Sequence, residues 1–281
     1  MNTQSKVIFW NIWGHRLADG VHDFLEHHSH DTDVFCLTEV RDVDSVQLSR
    51  LGTNLRYSRG FGEQAEQMNG YQQLRERFSD THALHYISAT RDTCTCDQNR
   101  VKFKDSGFGS TLMVKSDLVV IDHGHELLEF DGEDVKSRVL QWVVYTKGET
   151  CYLLAHLHGA WIKGNTKGDH EVRNQQALLV RVALIRIANM YDVEKVIFGG
   201  DFNLDINTNA LQLMEGDHYR NLIKEFGIEN TRTAAYRNFD VEGESMYADY
   251  ALVSNNVTVH SFAVADGVLA SDHAALVVEF S

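Results

Sequence analysis

Ten short apolar runs, each of strand length, recur along the 281-residue chain and constrain its fold more than any other feature. Runs of this length, rich in β-branched and aromatic residues, predict buried β-strands. Several follow one another with no helical pattern between them, at residues 109–157 and 248–280. This succession favours antiparallel pairing over a doubly wound parallel sheet. The runs are Val7–Trp10, Val34–Leu37, Gly109–Val114, Leu118–Ile121, Val139–Tyr145, Tyr152–Leu157, Val196–Phe198, Ala248–Val253, Val257–Phe262 and Ala275–Phe280.

Helical spacing of apolar residues predicts three helices between these runs, at Asp19–His28, His170–Met190 and 217–226. No linker-like segment interrupts the chain, so we expect a single α/β domain over residues 1–281. Residues 57–108 are the least regular part, with many Gln, Arg, Asp and Gly residues. We expect loops and small elements there, laid over the core on the substrate side.

Composition limits the classes of protein to which the chain can belong. No run of eighteen apolar residues occurs, so the sequence predicts no membrane-spanning helix and no membrane partner. The first residues, MNTQSKVIFWN, lack the apolar core and cleavage site of a signal peptide, which favours a cytoplasmic location. The formal net charge of −14 argues against tight nonspecific binding to long duplex DNA. A divalent metal in an acidic cleft could still reverse the local sign of charge.

Cys94 and Cys96 form a C-x-C pair with His82 and His85 a short distance upstream. These four side chains could bind zinc, although the spacing is shorter than that of the usual zinc motif. The alternative is a pair of reduced surface thiols.

Five strand ends carry polar side chains where an apolar run stops. One such end commonly caps a turn or the next helix, but five in one chain point to a shared site. Carboxylate and amide oxygens suit Mg²⁺ or Mn²⁺, and histidines transfer protons near neutral pH. In-line displacement at phosphorus needs this combination of groups. The residues are Asn11, Glu39, His156 with His158, Asp201 with Asn203, and Asp272 with His273.

The stretch KVIFGGDFNLD, residues 195–205, shows how such a strand end can be built. Strand alternation sends Asp201 and Asn203 to one face and Phe202 to the other. We expect Phe202 to be anchored in the core, and Gly199 with Gly200 to let the chain turn.

Six segments of the sequence, in order, resemble the endonuclease/exonuclease/phosphatase superfamily, which includes DNase I-like nucleases, abasic-site endonucleases, sphingomyelinases and inositol-polyphosphate phosphatases. The resemblance spans nearly the whole chain. It implies a four-layered α/β/β/α sandwich of the DNase I-like type, with two mixed, mostly antiparallel sheets flanked by helices. The segments are W-N-I-W-G (10–14), L-T-E-V (37–40), H-L-H-G (156–159), G-D-F-N (200–203), A-D-Y-A-L-V-S (248–254) and S-D-H (271–273).

The resemblance implies a metal site that holds Mg²⁺, for which Mn²⁺ could substitute. Glu39 would be its principal ligand. Asn11 would help to shape the metal and phosphate site, and Asp272 would be an acid on the metal side.

The resemblance also implies the catalytic groups. Asp201 would orient or activate the attacking water, and Asn203 would hold the water or the phosphoryl group. His273 would contact the scissile phosphate and act as an acid or base. Asp249 would hydrogen-bond to His273 and favour its charged form. Among the histidines of H-L-H-G, the family pattern places His158 at the catalytic position, which leaves His156 as a candidate substrate contact.

The stretch from residue 158 to 176 resembles a bacterial branch of the family that reads H-G-x-W and then K-G-D-T-P-x-R-x-x-Q. Glu171 stands where proline is usual. Arg173 would lie in the first turn of a helix, where it could reach a substrate phosphate. The alternative is an exposed surface arginine. The matching residues are Lys167, Gly168, Asp169, Arg173 and Gln176.

Taken with this chemistry, the resemblance implies a Mg²⁺-dependent phosphoester hydrolase, with a phosphodiesterase or nuclease acting on DNA, RNA or a nucleotide as the leading interpretation. A short or single-stranded substrate suits the acidic chain. The basic residues Arg91, Arg100, Lys102 and Lys104, with Phe103 among them, could follow a nucleic-acid backbone or form a solvated face. The alternatives are a phosphomonoesterase, a lipid- or inositol-phosphate hydrolase of the same fold, or a non-catalytic binding protein.

Overall fold

Two six-stranded β-sheets form the centre of the computed structural model, which describes residues 4–42, 69–88, 94–95, 102–103, 108–128, 138–162, 164, 167–242 and 244–281. The described helices are α1 (Ala18–His28), α2 (Gly70–Phe78), α3 (Glu171–Met190), α4 (Asn209–Glu215) and α5 (Leu222–Glu225). The described strands are β1 (Ser5–Asn11), β2 (Val34–Arg41), β3 (His82–Ser88), β4 (Cys94–Thr95), β5 (Lys102–Phe103), β6 (Phe108–Lys115), β7 (Val119–Leu128), β8 (Arg138–Lys147), β9 (Thr150–His158), β10 (Lys195–Asp201), β11 (Tyr219–Asn221), β12 (Asp249–Ser254), β13 (Val259–Ala265) and β14 (Ala275–Phe280).

The strand order confirms two mixed, mostly antiparallel sheets. The first sheet has the order β13-β14-β1-β2-β6-β3 and the second has the order β11-β12-β10-β9-β8-β7. Within them, β1 runs parallel to β2 and β9 runs parallel to β10. The other pairs are antiparallel, which agrees with the consecutive strand-like runs of the sequence. A small separate ladder joins β4 to β5.

Strand alternation produces the four layers. In β1, Val7 and Phe9 belong to the core that includes residues of both sheets, whereas Ile8 and Trp10 belong to the core shared with α1. Trp10 contacts Phe24 of α1, with ring centroids 4.8 Å apart. On the outer face of the second sheet, α3 buries its apolar side. Burial on both faces explains why β1 reads as a continuous apolar run.

All ten strand-like runs form strands, and the helices predicted from residues 19 and 170 begin at Ala18 and Glu171. The helix predicted at 217–226 is wrong in its first half, since Tyr219–Asn221 instead pairs with β12 as an edge strand. Asn221 then caps α5, with its Oδ1 accepting from the backbone N–H of Ile223 at 3.0 Å.

The segment at 57–108 contains two regular elements that the sequence did not predict, α2 and β3. Only Leu74, Phe78 and Gly70 of α2 are buried, which is too sparse a pattern to stand out. The described parts of this segment are 69–88, the short strands β4 and β5, and Phe108. Its expected substrate contacts stay a prediction. The side chains of Cys94, Cys96, Arg91, Arg100, Lys102, Phe103 and Lys104 lie outside the described residues.

None of the described helices combines the length and the apolar character needed to cross a bilayer.

Candidate active site

The register of the second sheet brings three predicted site residues side by side. Asp201, the last residue of β10, lies opposite both His158 of β9 and Asp249 of β12. Because β9 and β10 run parallel, their last residues, His158 and Asp201, lie at the same edge of the sheet. Asp249, the first residue of the antiparallel β12, lies at this edge as well. The three residues therefore meet at one edge of the sheet without a long loop to position them.

Asn11 and Glu39 occupy an edge of the first sheet. Asn11 ends β1 and pairs with Thr38, the residue before Glu39. Glu39 lies where the β2–β6 ladder shifts register, and its backbone φ is 58°. A β-bulge with a left-handed residue re-aims a side chain out of the strand alternation. The Glu39 side chain thereby lines the cleft described below.

The S-D-H segment is tied to the end of β1. Ser271 Oγ donates to the carbonyl oxygen of Asn11 at 2.6 Å and accepts from the backbone N–H of His273 at 3.1 Å. The indole Nε1 of Trp10 donates to the carbonyl oxygen of His273 at 3.0 Å. These bonds hold residues 271–273 beside Asn11.

Gly199 and Gly200 do not form the turn that we expected, since both lie inside β10. A Cβ on Gly199 would come within 2.8 Å of the Phe9 ring, and one on Gly200 within 2.4 Å of the Leu157 carbonyl oxygen. Gly200 also has a φ of 121°, which side-chain-bearing residues rarely adopt. The glycines therefore allow close approach of the other sheet and of β9, and the chain turns after Asp201.

Phe202 anchors that turn, as predicted. Its ring is fully buried and stacks on Phe198 and Tyr250, with centroids 4.8 Å and 5.4 Å away. Asn203 follows with a left-handed φ of 54°. Its backbone N–H donates to Asp201 Oδ1 at 2.9 Å, so the turn holds the catalytic candidate Asp201 in place.

Asp201 connects the two sheets at the centre of the site. Its Oδ2 accepts a hydrogen bond from Asn11 Nδ2 at 2.9 Å. The Nε2 atoms of His158 and His273 each lie 3.6 Å from the same oxygen. One carboxylate thus contacts an amide from the first sheet and two imidazoles, at a depth where only 2% of its surface is exposed.

His273 is held at both ring nitrogens. Its Nδ1 lies 2.8 Å from Asp249 Oδ2, and Arg232 Nη1 donates to its Nε2 at 2.5 Å. Because a guanidinium can only donate, Nε2 is the acceptor and Nδ1 carries the proton that Asp249 accepts. The predicted contact between Asp249 and His273 is present.

The charge of His273 differs from our expectation. Burial and the neighbouring Arg232 lower the pKa of His273 to about 4, so the neutral ring is favoured. Burial also raises the pKa of Asp249 to about 7. Asp249 alone would favour the imidazolium, but burial and the guanidinium outweigh it.

Glu39, Asp201 and Asp272 form a group that we call the carboxylate cluster. Burial and the charge of Asp201 raise the pKa of Glu39. Burial likewise raises the pKa of Asp272, and the charges of Glu39 and Asp201 add to the rise. A group of carboxylates in which ionisation of Glu39 and Asp272 is disfavoured by burial and by neighbouring negative charge requires positive charge nearby.

A cleft of about 510 Å³ lies over these groups. Six arginine or lysine residues line it, against four carboxylates, so its charge is opposite in sign to the net charge of −14 on the whole chain. Such a cleft concentrates anions. The basic residues are Arg16, Arg138, Lys167, Arg173, Arg232 and Arg237.

Residues 8–273 match the Endonuclease/Exonuclease/phosphatase family. The chain belongs to this family. The match includes all ten predicted site residues and confirms the resemblance drawn from the six short segments. No curated protein sequence matches the chain.

Solved structures agree with this fold. The chain is similar to an endonuclease/exonuclease/phosphatase from Bacteroides vulgatus, with 17% identity, a TM-score of 0.68, and coverage of 100% of this chain and 99% of that one. It is similar to the mannosyl-6-phosphatase Bt3783 of Bacteroides thetaiotaomicron, with 17% identity, a TM-score of 0.65 and 99% coverage of both chains. It is also similar to D. rerio TDP2 complexed with a single-strand DNA product, with 17% identity, a TM-score of 0.65 and 100% coverage of both chains. These likenesses establish the DNase I-like sandwich.

Members of the Endonuclease/Exonuclease/phosphatase family typically depend on a divalent metal, and the donor set of this chain fits one. Asp272 Oδ1 is buried and accepts no hydrogen bond from the residues that the structure describes, as expected of a carboxylate that can bind a cation. Among the described residues, the group whose possible ligand atoms all lie within 4.8 Å of one another is Asp201, Asp249 and His273. Asp249 is already bonded to His273, whereas Glu39, Asp201 and Asp272 line the cleft.

His158 reaches the site and His156 does not. His158 Nε2 lies 3.8 Å from Glu39 Oε1, and Arg138 Nη1 lies 3.3 Å from its Nδ1. His156 is fully buried two residues deeper, with its Nε2 2.9 Å from Gln141 Oε1. Burial lowers the pKa of His156 to about 3. The predicted substrate contact of His156 is therefore unsupported.

Arg173 is not the exposed surface arginine that we kept as an alternative, since only 1% of its surface is accessible. Its Nε donates to the carbonyl oxygen of Ala160 at 3.3 Å and its Nη1 to that of Gly168 at 2.5 Å. Burial lowers the pKa of Arg173 to about 10. The side chain lines the cleft while bracing the segment that follows β9.

Sequence reasoning missed Arg138, Arg232 and Tyr236, all of which line the cleft. Arg138 precedes the apolar run of β8, and a charged residue before a strand is common on any surface. Arg232 and Tyr236 lie between α5 and β12, where no periodic pattern exists. The available signal was that TRTAAYR carries two arginines in an otherwise acidic chain.

Proposed function

We propose that the protein is a Mg²⁺-dependent phosphoester hydrolase that cleaves a phosphodiester in DNA, RNA or a nucleotide by in-line attack of water. The observation that carries the proposal is the meeting of the carboxylate cluster with His158 and the Asp249–His273 pair at the floor of a cationic cleft. A cation site, proton-transfer groups and donors for a phosphoryl oxygen are what displacement at phosphorus requires.

Glu39, Asp272 and the side-chain oxygen of Asn11 would hold the cation, and Mn²⁺ could replace Mg²⁺. When bound, the cation supplies positive charge that stabilises the developing negative charge on phosphorus oxygens. Asn11 Oδ1 already accepts from the backbone N–H of Trp13 at 3.0 Å, which orients it.

Asp201 would orient the attacking water and accept its proton. It is suited to this role because its two oxygens are fixed by Asn11 and by the backbone of Asn203. The Asn203 side chain donates to the Gly159 carbonyl at 3.3 Å and lines the cleft, where it would steady the water or the phosphoryl group.

His158 and His273 would contact the phosphoryl oxygens on either side of Asp201 Oδ2. An incoming phosphate that draws Arg232 away from His273 Nε2 would remove one of the causes that keep the ring neutral. The ring could then take up a proton and donate it to the phosphoryl oxygen or leaving group.

A nucleic acid or nucleotide substrate fits the charge distribution. The whole chain is acidic and the positive charge is concentrated in one cleft, which favours a short or single-stranded molecule over long duplex DNA. D. rerio TDP2, which shares the fold, is complexed with a single-strand DNA product. A cytoplasmic location and a single domain belong to the same proposal.

A phosphomonoesterase is the second candidate, because the six basic residues at the cleft could also neutralise the higher charge of a monoester. The mannosyl-6-phosphatase from B. thetaiotaomicron shares the fold. A panel assay in Mg²⁺ and Mn²⁺ separates the two. Bis-p-nitrophenyl phosphate and p-nitrophenyl phosphate compare diester with monoester, and single- and double-stranded DNA, RNA, tRNA and inositol phosphates identify the class.

Glu39→Ala and His273→Ala test the proposal directly. We expect each to lower hydrolysis of bis-p-nitrophenyl phosphate by at least about 1000-fold while the circular dichroism spectrum is retained. Glu194→Ala and His260→Ala, outside the cleft, are matched controls that should retain activity. Wild-type turnover in either site variant would exclude this mechanism, and no turnover of any phosphoester by the wild type would favour a binding protein.

A further inference from the structure

Lys167 is a buried ammonium group at the cleft that has no carboxylate partner among the described residues. Its Nζ donates to the carbonyl oxygen of Ser245 at 2.5 Å and lies 5.2 Å from the centroid of the Tyr236 ring. Only 8% of the residue is exposed. A cation in such a place is costly unless an anion lies beside it.

Arg232 lies near the same ring, with its Cζ 4.5 Å from the Tyr236 centroid. Its Nη1 donates to His273, 2.5 Å away, and lies 3.7 Å from Asp272 Oδ2. Its Nε is buried and has no hydrogen-bond partner within the described part of the chain, in a residue that is 4% exposed. Arg232 therefore reaches the reaction centre at one end of its guanidinium and offers an unused donor at Nε.

Tyr236 keeps the two cations in place. Its hydroxyl donates to Glu244 Oε1 at 2.8 Å, and its backbone N–H donates to the carbonyl oxygen of Thr233 at 2.9 Å. Because Lys167 Nζ lies 5.2 Å and Arg232 Cζ lies 4.5 Å from the centroid of this fixed ring, the two cationic groups are neighbours. Glu244 offsets part of their charge, but its carboxylate is engaged by the tyrosine hydroxyl.

Under the proposed function, the reacting phosphoryl group would have its partners near Asp201, namely His158, His273 and the Asn203 amide. The Lys167 ammonium instead contacts the segment that carries Tyr236 and Ser245. Its two unused ammonium protons and the Arg232 Nε–H thus form a donor set beside the reaction centre. Burial and the charge of Arg232 lower the pKa of Lys167 to about 8, which agrees with a cation held away from water.

We propose that Lys167 and Arg232, placed around the Tyr236 ring, form a second anion subsite that binds a phosphate group neighbouring the one that reacts. The proposal rests on the proposed function, because Arg232 joins this subsite to His273. It identifies the substrate class as compounds that carry two neighbouring phosphates. The second phosphate could be linked directly, as in a diphosphate, or through a short spacer, as in successive nucleotides.

Binding of phosphonates that cannot be hydrolysed tests the subsite independently of turnover. Isothermal titration calorimetry in Mg²⁺ would compare methylphosphonate, methylenediphosphonate and butane-1,4-diphosphonate on the full chain. We expect at least one diphosphonate to bind at least about tenfold more tightly than methylphosphonate, as one or two charge-assisted hydrogen bonds allow. The tighter of the two identifies direct or spaced linkage.

Lys167→Gln should reduce that preference to about threefold or less, since it removes the ammonium charge at similar length. Lys195→Gln is the matched control, because the Lys195 ammonium also lies near a tyrosine ring, 5.9 Å from the Tyr152 centroid, but outside the cleft. Melting temperatures of both variants establish that they fold. Equal binding of mono- and diphosphonates to the wild type, or an unchanged preference in folded Lys167→Gln, would overturn the subsite. A wild-type protein that prefers a diphosphonate but hydrolyses no phosphoester would instead count against the hydrolase and leave the subsite standing.

Discussion

The carboxylate cluster and the basic residues around Tyr236 both line the cleft, and they are built in different ways. The acids stand at strand ends or next to them, where sheet register and one bulge set their positions. Lys167 and Arg232 stand on connecting segments and are positioned by side-chain contacts with Tyr236. If the proposed function holds, the reaction chemistry belongs to the sheet framework, whereas the proposed anion subsite belongs to the connecting segments.

Removing the metal or one metal-side acid should have the largest effect. EDTA should abolish hydrolysis, and Mg²⁺ or Mn²⁺ should restore it. Asp272→Asn should lower activity by at least about 1000-fold, since it removes a charge from the cation site. Asp240→Asn, on the exposed surface, is a matched control.

The same Asp272→Asn variant should be more stable than the wild type in EDTA. Because the pKa of Asp272 is raised, its stabilising contribution is present below the unfolded pKa and is lost as pH rises through the folded one. Above the folded pKa, the charged Asp272 carboxylate therefore destabilises the metal-free protein, and the neutral amide of the variant removes this unfavourable charge. Thermal melting with and without Mg²⁺ measures this, and a lower melting temperature in EDTA would contradict the assigned cluster.

Arg232→Gln should have a smaller effect on activity and should also change its pH dependence. We expect kcat/KM to fall about 10- to 100-fold through loss of a charge-assisted contact. Arg232 lowers the pKa of His273, so its removal should move the limb of the pH profile that His273 sets to higher pH. Arg237→Gln, an exposed arginine at the rim, should leave the limb in place. An unmoved limb in Arg232→Gln would show that the guanidinium does not control His273.

The carboxylate side could be predicted from sequence because strand ends leave local signals. In VIFGGDFN, alternation predicts that Phe202 is anchored in the core, and its ring is buried against Phe198 although the strand ends at Asp201. The charge of His273 could not be predicted in this way. It depends on Arg232, which is distant from His273 in the sequence. An isolated backbone pairing brings the two residues together, and the Arg232 guanidinium then contacts the ring.

The turn expected at Gly199 and Gly200 fails for a related reason. Local sequence cannot distinguish a glycine that turns the chain from one that admits a neighbour. Here Phe9 from the other sheet and the backbone of Leu157 need the space, so the glycines remain in the strand. His156 and His158 likewise differ in how deeply each side chain is buried. The local sequence shows two histidines on the same strand face and does not indicate which of them lies at the cleft.

Arg173→Gln should destabilise the protein rather than remove a phosphate contact alone. The guanidinium satisfies the carbonyl oxygens of Ala160 and Gly168, and glutamine cannot reach both. We expect a loss of about 1–3 kcal/mol in the free energy of unfolding, measured by urea denaturation. Arg186→Gln, on the exposed side of α3, is the matched control. An unchanged unfolding free energy with a raised KM would instead favour a direct contact with substrate.

The smallest effect that we expect is on the pH dependence of stability, and it tests whether His156 is a buried structural residue or a residue of the cleft. Burial lowers the pKa of His156 to about 3, so its contribution to stability is present above the unfolded pKa of about 6.5 and is lost as pH falls from there toward 3. A single such group changes the unfolding free energy by at most about 1.4 kcal/mol per pH unit. His156→Gln keeps a donor for Gln141 and should flatten the stability profile between pH 6 and 4.5 while retaining most activity, with His260→Gln as the control. If activity is lost while the stability profile is unchanged, His156 acts on the substrate. The assignment of His158 to the cleft and of His156 to a structural role in β9 would then be wrong.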